Sequence, residues 1–390
     1  MKIEKTDKAL EQVWRLWKDC FQDTDEYMDF YFQWKMKDNV ILGSYDEEKL
    51  VSMVQLNPYE LSVQGEKTSS YYIVGVATDA QYRKRGLMRQ LLTEAMNRMY
   101  EEEVPFTYLM PAKEAIYLPF DFRIVTTQKR YNIQISSIVE RKKEERLVAA
   151  SIAKDTAIRY QEFDVKDEEL LQQLANFANE RLSQTEDVFT TRNSFYYQRM
   201  MAELSVLEGG IIIAKQSERI KGYLAYDVEM GRIEVLESIC EPEYESGLIE
   251  ELEQRIYHAY SNEEQEATEP TIAPPMMTRI IHLPRFLEFI RATKEVELIL
   301  HAKDEFILEN QGYYQMKCNP DGCSVTKLDG MEYDKRKTDI TGDIASLTRL
   351  FFGRLSIEDA KSMFEEMSER FENSFEQLVF LENTYLNEIV

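Results

Sequence analysis

The chain has 390 residues, which is enough for two or three domains rather than a single core. Its net charge of −24 disfavours nucleic acid as a partner, because phosphates require a basic surface, and it suits a cationic substrate. The sequence has no long apolar run and no apolar leader, so we expect no membrane span and a cytoplasmic location.

The first predicted block begins with an amphipathic helical region and a β-hairpin at residues 40–54. An apolar run then predicts a buried strand at residues 71–77. Apolar side chains recur at helical spacing over residues 87–100, which predicts an amphipathic helix. A strand at residues 106–110 and closing strands near residues 123–136 complete this block.

Three consecutive cations and a glycine, Arg83, Lys84, Arg85 and Gly86, join the predicted buried strand to the predicted helix. The N–H groups that open a helix have no intrahelical partner, and the helix dipole makes that end electropositive. Glycine also lets a phosphate approach the backbone closely. The turn is therefore predicted to bind an anion, most naturally a diphosphate. A basic loop without a ligand is the alternative, and the glycine patterns of dinucleotide-binding and P-loop proteins are missing.

A second block repeats this order of elements. A hairpin and a third strand are predicted between residues 210 and 236, ahead of a helix at residues 248–260. Where the first block has three cations, this block has Glu241, Glu243 and Glu245. Because three carboxylates repel a diphosphate, we interpret the second block as a copy of the fold without the anion site.

A polar, proline-bearing stretch at residues 262–275 predicts a third boundary, followed by strands and then helices. Cys318 and Cys323 flank a hairpin-turn sequence, so they are predicted to face each other across two strands as reduced thiols. The three histidines are far apart in the sequence, and the first 257 residues contain none. We therefore expect no metal site and no catalytic histidine near the basic turn.

With these features in view, the chain resembles the GCN5-related N-acetyltransferases (GNAT), which bind the pyrophosphate of acetyl-coenzyme A on a (Q/R)xxGx(G/A) loop. Here that loop runs from Arg83 to Met88, and Met88 departs from the small last residue of the pattern. The chain more closely resembles the enhanced-intracellular-survival (Eis) group. Residues 76–89, 115–122 and 275–281 carry that closer resemblance.

This resemblance implies an α+β chain, an α/β sandwich of tandem GNAT folds, the N-terminal one active and the central one degenerate. A sterol-carrier-protein-like α+β domain follows them. We place the three domains at residues 1–145, 155–275 and 276–390. The resemblance further implies an N-acetyltransferase that uses acetyl-coenzyme A and no metal, and that forms a homohexamer.

The resemblance also implies roles for individual residues. Tyr117 would be the general acid that protonates the departing coenzyme A thiolate, and the α-carboxylate of Val390 would be the general base. Strand-end backbone groups would hold the pantetheine arm, and the basic turn would hold the pyrophosphate. These predicted cofactor-binding residues are Val76, Ala77, Thr78, Arg83, Lys84, Arg85, Gly86, Leu87, Met88 and Arg89.

The implied acceptor is a primary amine of a cationic small molecule, either aminoglycoside-like or a polyamine, or of a lysine side chain. It would attack the thioester directly in a ternary complex. Aromatic and acidic residues that could line its pocket are Phe30, Trp34, Asp23, Asp25, Glu26 and Glu388, all of which could equally serve packing or solvation. The alternative function is a coenzyme A- or lipid-binding sensor that has no catalytic turnover.

Overall fold

The computed structural model describes residues 7–127, 131–148, 158–229, 231–261, 275–328, 338–353 and 355–388. Within these residues the chain forms one eight-stranded sheet, two five-stranded sheets and a two-stranded ribbon, with helices packed against them. This arrangement confirms the predicted α+β class. None of the described helices has both the length and the apolar character needed to cross a membrane.

The first unit packs helices on both sides of a hairpin and a long strand. Its helices are α1 (Asp7–Cys20), α2 (Asp25–Phe30), a π-helix (Tyr31–Lys35), α3 (Leu87–Glu101) and α4 (Glu114–Tyr117), and its strands are β1 (Val40–Asp46), β2 (Lys49–Val63), β3 (Glu66–Thr78), β4 (Phe106–Leu109) and β5 (Arg123–Thr127). The apolar stripe predicted for α3 is buried against the sheet, at Leu91, Leu92, Ala95, Met96 and Met99. The strand–turn–helix order predicted from the sequence is therefore confirmed.

The second unit repeats this layout. Its strands are β6 (Tyr131–Gln134), β7 (Ile158–Glu162), β8 (Val188–Thr190), β9 (Gly210–Gln216), β10 (Arg219–Glu229) and β11 (Arg232–Cys240), and its helices are α5 (Ile135–Val148), α6 (Glu168–Thr185), α7 (Ser194–Val206) and α8 (Glu245–Tyr260). Strands β9, β10 and β11 form an antiparallel meander that leads into α8, as β1, β2 and β3 lead into α3. The predicted repeat of elements is confirmed.

The C-terminal unit contains the remaining elements. Its strands are β12 (Pro275–Ile280), β13 (Arg291–Ala292), β14 (Val296–Lys303), β15 (Gly312–Asn319), β16 (Gly322–Leu328), β17 (Ile340–Asp343), β18 (Glu366–Met367), β19 (Leu378–Val379) and β20 (Thr384–Tyr385), and its helices are α9 (Leu283–Leu287), α10 (Ile344–Phe352), α11 (Ile357–Met363) and α12 (Glu369–Phe375). Cys318 pairs with Cys323 across β15 and β16, which confirms their predicted position on facing strands.

Strand pairing crosses the predicted domain limits. β12 lies in the first sheet between β4 and β5, and it is almost entirely buried there, as a strand with two neighbours should be. In the other direction, β6 leaves the first block and pairs with β11 in the second sheet. The limits placed at residues 145 and 275 therefore do not coincide with the edges of the sheets, because neighbouring units exchange strands.

Strands β3 and β4 are parallel but pair at a single position, Tyr72 with Tyr108. Hydroxyl groups of Ser70 and Thr107 donate hydrogen bonds of 2.7 Å to carbonyl oxygens of the opposite strand near this point. Beyond it, β3 continues to Thr78 after β4 has ended. On the side of β4, β3 therefore has an edge beyond Tyr72 that pairs with no described strand, and we call the space beside this edge the V-shaped opening.

A bulge bends β3 within this opening. The register between β2 and β3 shifts at this point, so that Gly75 and Val76 together oppose Val54. Gly75 has a φ of +58°, and a Cβ there would lie 2.7 Å from the Trp17 ring. Only glycine satisfies both constraints, so the bend in the strand depends on this residue.

The C-terminal unit packs against the first sheet. One apolar cluster combines Tyr72, Phe106 and Tyr108 of the first sheet with Phe286 and Phe352 of the C-terminal helices. The Phe106 ring lies 5.1 Å from Phe352 and 6.2 Å from Phe286, in edge-to-face contacts. The face of the C-terminal unit that lies against the first sheet is therefore filled by protein side chains.

Candidate active site

The turn between β3 and α3 has the backbone geometry of an anion site. Lys84 and Gly86 have left-handed φ values of +63° and +80°, with Arg85 between them at a negative φ. When the backbone conformation alternates between left-handed and right-handed along three residues, their successive N–H groups point into one concavity. Gly86 is the N-cap of α3 without any side-chain cap, and the first α-helical hydrogen bond is donated by Gln90. The N–H groups of the first turn are therefore available to a ligand.

Three of the four cations around this turn are oriented by contacts. The Nε of Arg83 donates to the carbonyl of Thr78 at 3.1 Å, and Arg85 donates to the carbonyl of Gln81 at 3.0 Å. Arg89 places its guanidinium 5.0 Å from the Phe120 ring centre. All four cations, Arg83, Lys84, Arg85 and Arg89, remain exposed to solvent.

Leu87 and Met88 form the first turn of α3 and are half-buried. The Met88 side chain packs against the apolar cluster beneath the helix. It does so together with Val76, from the end of β3. This packing explains how a large residue is tolerated where the family pattern has a small one.

The three predicted residues at the end of β3 differ in whether their backbone groups are already engaged or can bind a ligand. Ala77 and Thr78 pair with β2, and their carbonyl oxygens accept hydrogen bonds from Ser52 and Arg83 respectively. Val76 lies in the bulge and has no residue of its own opposite it in β2. Of these three predicted residues, Val76 has the backbone position best suited to a ligand in the V-shaped opening.

Tyr117 ends α4 and is 8% exposed. Its ring lies 6.0 Å from the Phe122 ring, within the apolar cluster beneath α3. Burial alone raises the pKa of Tyr117 to about 12, so its hydroxyl is protonated throughout the physiological range. An uncharged phenol of this kind can donate a hydrogen bond or a proton.

A separate cavity of about 250 Å³ lies between the first two units and the end of the chain. Five different parts of the fold line it: the region around α2, β2, α7, the β10–β11 pair and the C-terminal segment. The lining residues that carry charge are Asp23, Lys35, Arg199, Glu203, Asp227, Glu234 and Glu388. We call this space the acidic cavity, because carboxylates outnumber cations on its wall.

Glu388 is the most unusual carboxylate of the acidic cavity. It is 4% exposed, and neither of its oxygens forms a hydrogen bond with any described residue. The Arg192 guanidinium and the hydroxyl groups of Thr190 and Tyr108 lie near enough to Glu388 to favour its ionised form. Burial outweighs them and raises the pKa of Glu388. Glu388 is therefore a buried carboxylate of the cavity wall with one cation and two hydroxyl groups near it.

The part of the site that contains Tyr117 and the part that contains Glu388 meet near Tyr72, where the V-shaped opening begins. Burial raises the pKa of Tyr72, and the neighbouring side chains of Tyr59, Glu388 and Tyr117 act in the same direction. The Tyr72 ring lies 5.5 Å from the Tyr108 ring, which stands beside Glu388. The acidic cavity therefore approaches the opening from the side of Glu388.

Several predicted residues do not join this arrangement. Val390 lies outside the described residues. Asp25 is exposed and pairs with Lys18 at 2.6 Å, and Glu26 is exposed as well. Phe30 and Trp34 pack in the cluster around α1 and do not line the acidic cavity.

Among the cavity residues that sequence reasoning missed are Arg199 and Glu203. Both lie on the stripe of α7 that also carries Tyr196, Met200 and Leu204, at helical spacing. Charged side chains on an otherwise apolar helical stripe are a signal that the sequence did contain.

A second hollow, of about 590 Å³, follows the outer face of α3 and includes Arg89. None of the other predicted site residues lines it. No described group of three or more His, Cys, Asp or Glu side chains has an arrangement that could hold a metal ion.

Comparison with known proteins places this geometry in context. A family model of the acetyltransferase (GNAT) domain matches residues 3–125, and a model of the sterol carrier protein domain matches residues 283–378. No curated protein matches the sequence.

Solved structures match the whole chain at low identity. A protein of unknown function from Enterococcus faecalis, described as a probable N-acyltransferase, is 17% identical with a TM-score of 0.75, and 99% of each chain is covered. A GCN5-related N-acetyltransferase from Anabaena variabilis is 15% identical with a TM-score of 0.75 over 98% of both chains. Eis1 from Mycobacterium abscessus is 12% identical with a TM-score of 0.68, covering 100% of this chain and 99% of its own. The predicted fold class and the predicted family resemblance are confirmed.

Proposed function

We propose that this chain, whose residues 3–125 match the acetyltransferase (GNAT) domain, transfers acetyl from acetyl-coenzyme A to a primary amine of a small molecule. The observation that supports the acceptor most strongly is the buried Glu388 carboxylate, whose oxygens have no described partner. An ammonium group has three donors and a positive charge. It would donate hydrogen bonds to the Glu388 oxygens from the acidic cavity, which Glu388 lines.

The β3–α3 turn fits the diphosphate of acetyl-coenzyme A. In the proposal, the N–H groups that open α3 bind phosphate oxygens, and Lys84 and Arg85 add full positive charges. A Cβ at Gly86 would meet no atom within 4 Å, so the open side of the turn is available to the ligand. Arg83, Met88 and Arg89 contact the residues around this turn, and Leu87 is the first residue of α3.

The V-shaped opening fits the pantetheine arm. Acetyl-coenzyme A supplies the acetyl group as a thioester when it is bound. We propose that the backbone of Val76, Ala77 and Thr78 aligns the arm along the free edge of β3, with Val76 contributing most because of its bulge position. This alignment directs the reacting end toward Tyr72 and the acidic cavity.

Tyr117 is the proposed general acid. Its pKa of about 12 keeps it protonated, whereas the thiol of the leaving group has a pKa of ~8.5. Full proton transfer from so weak an acid is uphill, so Tyr117 acts first by hydrogen bonding to the negative charge that develops on sulfur.

The α-carboxylate of Val390 is the proposed general base, as the family resemblance implies. Glu388 holds the ammonium in the same proposal. A carboxylate whose pKa is raised by burial accepts a proton more readily than an exposed one, and Glu388 has such an environment. The two carboxylates can be separated by experiment, because extending the chain displaces only the terminal one.

The acceptor class follows from size and charge. A cavity of about 250 Å³ is smaller than the roughly 300–1,000 Å³ of sites for drug-sized ligands. This volume favours a small amine, such as a polyamine end or a lysine side chain, over a whole aminoglycoside. The cytoplasmic location and the homohexamer remain part of the proposal.

Thiol release from acetyl-coenzyme A, measured with a panel of amines, tests the proposed reaction. We expect turnover with at least one small amine. The Tyr117→Phe variant should lose about 100-fold or more in kcat, within the usual range for a general acid, with unchanged affinity for acetyl-coenzyme A. Tyr313→Phe, a C-terminal tyrosine stacked on His301, is the matched control and should retain full activity.

Two results would contradict the proposal. An unchanged kcat in Tyr117→Phe would remove Tyr117 from the chemistry. Tight binding of acetyl-coenzyme A without turnover on any amine would favour the alternative function, a coenzyme A- or lipid-binding sensor. One variant extends the C-terminus by one residue, and its control carries the extra residue at the N-terminus and still ends in Val390. Loss of activity in the first variant, with activity retained in the control, would support the terminal carboxylate as the base.

A further inference from the structure

Arg199 is a buried cation of the acidic cavity that forms no close ion pair with a described carboxylate, although the charges of Glu203 and Glu388 favour its protonated form. It lies on α7, is 7% exposed and lines the cavity wall. Its guanidinium carbon lies 4.9 Å from the Tyr59 ring centre and 5.8 Å from that of Phe195. Among the described residues, no carboxylate forms an ion pair with it and no acceptor receives a hydrogen bond from it.

The other charged groups of the cavity are already engaged. Lys35 forms an ion pair of 2.9 Å with Glu203, which also accepts a hydrogen bond from the Tyr27 hydroxyl. Asp23 accepts a hydrogen bond of 2.7 Å from the indole of Trp17. Asp227 and Glu234 have interactions of their own. Arg199 and Glu388 are therefore the charged groups of the described wall that form no close ion pair or hydrogen bond with another wall residue, although each has opposite charge near it.

We propose that Arg199 binds an anionic group of the acceptor, so that the substrate is an amine that also carries a carboxylate, such as an amino acid or the acid end of a short peptide. This inference rests on the proposed function and specifies its acceptor. Glu388 holds the ammonium end, and Arg199 holds the acid end of the same molecule.

The chemistry of arginine supports this role. A guanidinium is planar and can donate two parallel hydrogen bonds to one carboxylate, while its face stacks on an aromatic ring. Tyr59 provides that ring and leaves the donor edge of Arg199 free. A buried charge without a partner is costly, so a ligand that neutralises it gains affinity as well as orientation. Among the small amines that the cavity volume admits, one that also carries a carboxylate pairs with Arg199, whereas a polyamine end adds like charge beside it.

Matched acceptors provide the test. We would measure kcat/KM for a series of ω-amino acids of increasing length, each beside the alkylamine that lacks only the carboxylate. The variants are Arg199→Gln, which removes the charge, and Arg199→Lys, which keeps it. Arg159→Gln, at an exposed ion pair with Glu218, is the control for loss of an arginine elsewhere in the second unit.

In the wild type we expect the best amino acid to exceed its matched alkylamine at least tenfold in kcat/KM. Arg199→Gln should lower kcat/KM at least tenfold for the acid and change it less than about twofold for the alkylamine, while Arg199→Lys restores part of the preference. Arg159→Gln should behave as the wild type. Thermal unfolding and the KM for acetyl-coenzyme A identify any variant that fails to fold.

Equal use of acids and alkylamines by the wild type would overturn the inference and leave the proposed function standing. So would an equal loss on both acceptor types in folded Arg199→Gln, because that result indicates a structural role. Calorimetric binding of the same acids decides the case without turnover. Binding that disappears in Arg199→Gln supports the inference, and acids that do not bind, or that bind both proteins equally, refute it.

Discussion

The turns that open α3 and α8 occupy equivalent places in the first two units but differ in charge and backbone. The α3 turn carries three cations and an uncapped left-handed glycine. The α8 turn begins at Glu241, continues through a 3₁₀ helix that contains Pro242, and has Tyr244 as an N-cap of right-handed conformation. Glu241 already pairs with Lys221 at 2.9 Å.

The difference shows how one fold can retain a ligand site in one copy and lose it in another. Both copies keep the meander and the helix, which apolar burial specifies. The anion site depends on a few residues that contribute little to that burial. Other parts of the second unit, β10, β11 and α7, contribute to the wall of the acidic cavity. In the proposed function the second copy therefore helps to hold the acceptor and not the cofactor.

Charge reversal in the first turn should produce the largest effect. In the variant Lys84→Glu/Arg85→Glu, two carboxylates face the diphosphate in place of two cations, and we expect the Kd for acetyl-coenzyme A to rise at least 100-fold. Titration calorimetry measures this. Both side chains are exposed, so thermal stability should change little. An unchanged Kd would mean that the turn does not bind the cofactor.

Changing the backbone geometry of the first turn should weaken the binding of acetyl-coenzyme A by less than charge reversal does, but by a measurable amount. Gly86→Ala places a Cβ on a left-handed residue at a cost of about 1–2 kcal/mol, and we expect roughly tenfold weaker binding of acetyl-coenzyme A as the turn relaxes. Gly65→Ala is a matched control, since Gly65 has a φ of +82° in an exposed hairpin with open space around it. The two variants should lose similar stability in thermal unfolding. Weakened binding in both, or in neither, would contradict a specific role for Gly86.

The smallest effect is expected from changing charge alone in the second turn. The variant Glu243→Lys/Glu245→Lys should acquire no second site for acetyl-coenzyme A, because Tyr244 remains a right-handed N-cap and Pro242 lacks an N–H. Stoichiometry from calorimetry should stay at one per chain. A second equivalent of bound cofactor would show that charge, rather than backbone geometry, distinguishes the two turns.

Local features of the fold could be predicted because their signals lie within a few residues. The apolar run before Arg83 and the helical spacing after Gly86 indicated the strand, turn and helix that the structure shows. The turn between Cys318 and Cys323 likewise indicated the hairpin. In each case the pattern and the hydrogen bonding involve the same short segment.

Exchange of strands could not be predicted in this way. The apolar sequence of β12 is suited to any buried strand, and its place between β4 and β5 depends on packing with segments more than 140 residues away. The acidic cavity has the same difficulty, since its wall combines five separate segments. Asp23 and Glu388 were among the residues considered, but nothing local distinguished them from Asp25 and Glu26, which do not line the cavity.

A crystal structure of the protein with acetyl-coenzyme A bound tests the central claim most directly. We predict that the diphosphate lies within hydrogen-bonding distance of the backbone N–H groups between Arg85 and Arg89. We also predict that the thioester lies in the V-shaped opening, between Tyr117 and Glu388. A cofactor bound along the outer face of α3 or in the second unit, with the Gly86 turn unoccupied, would contradict the account.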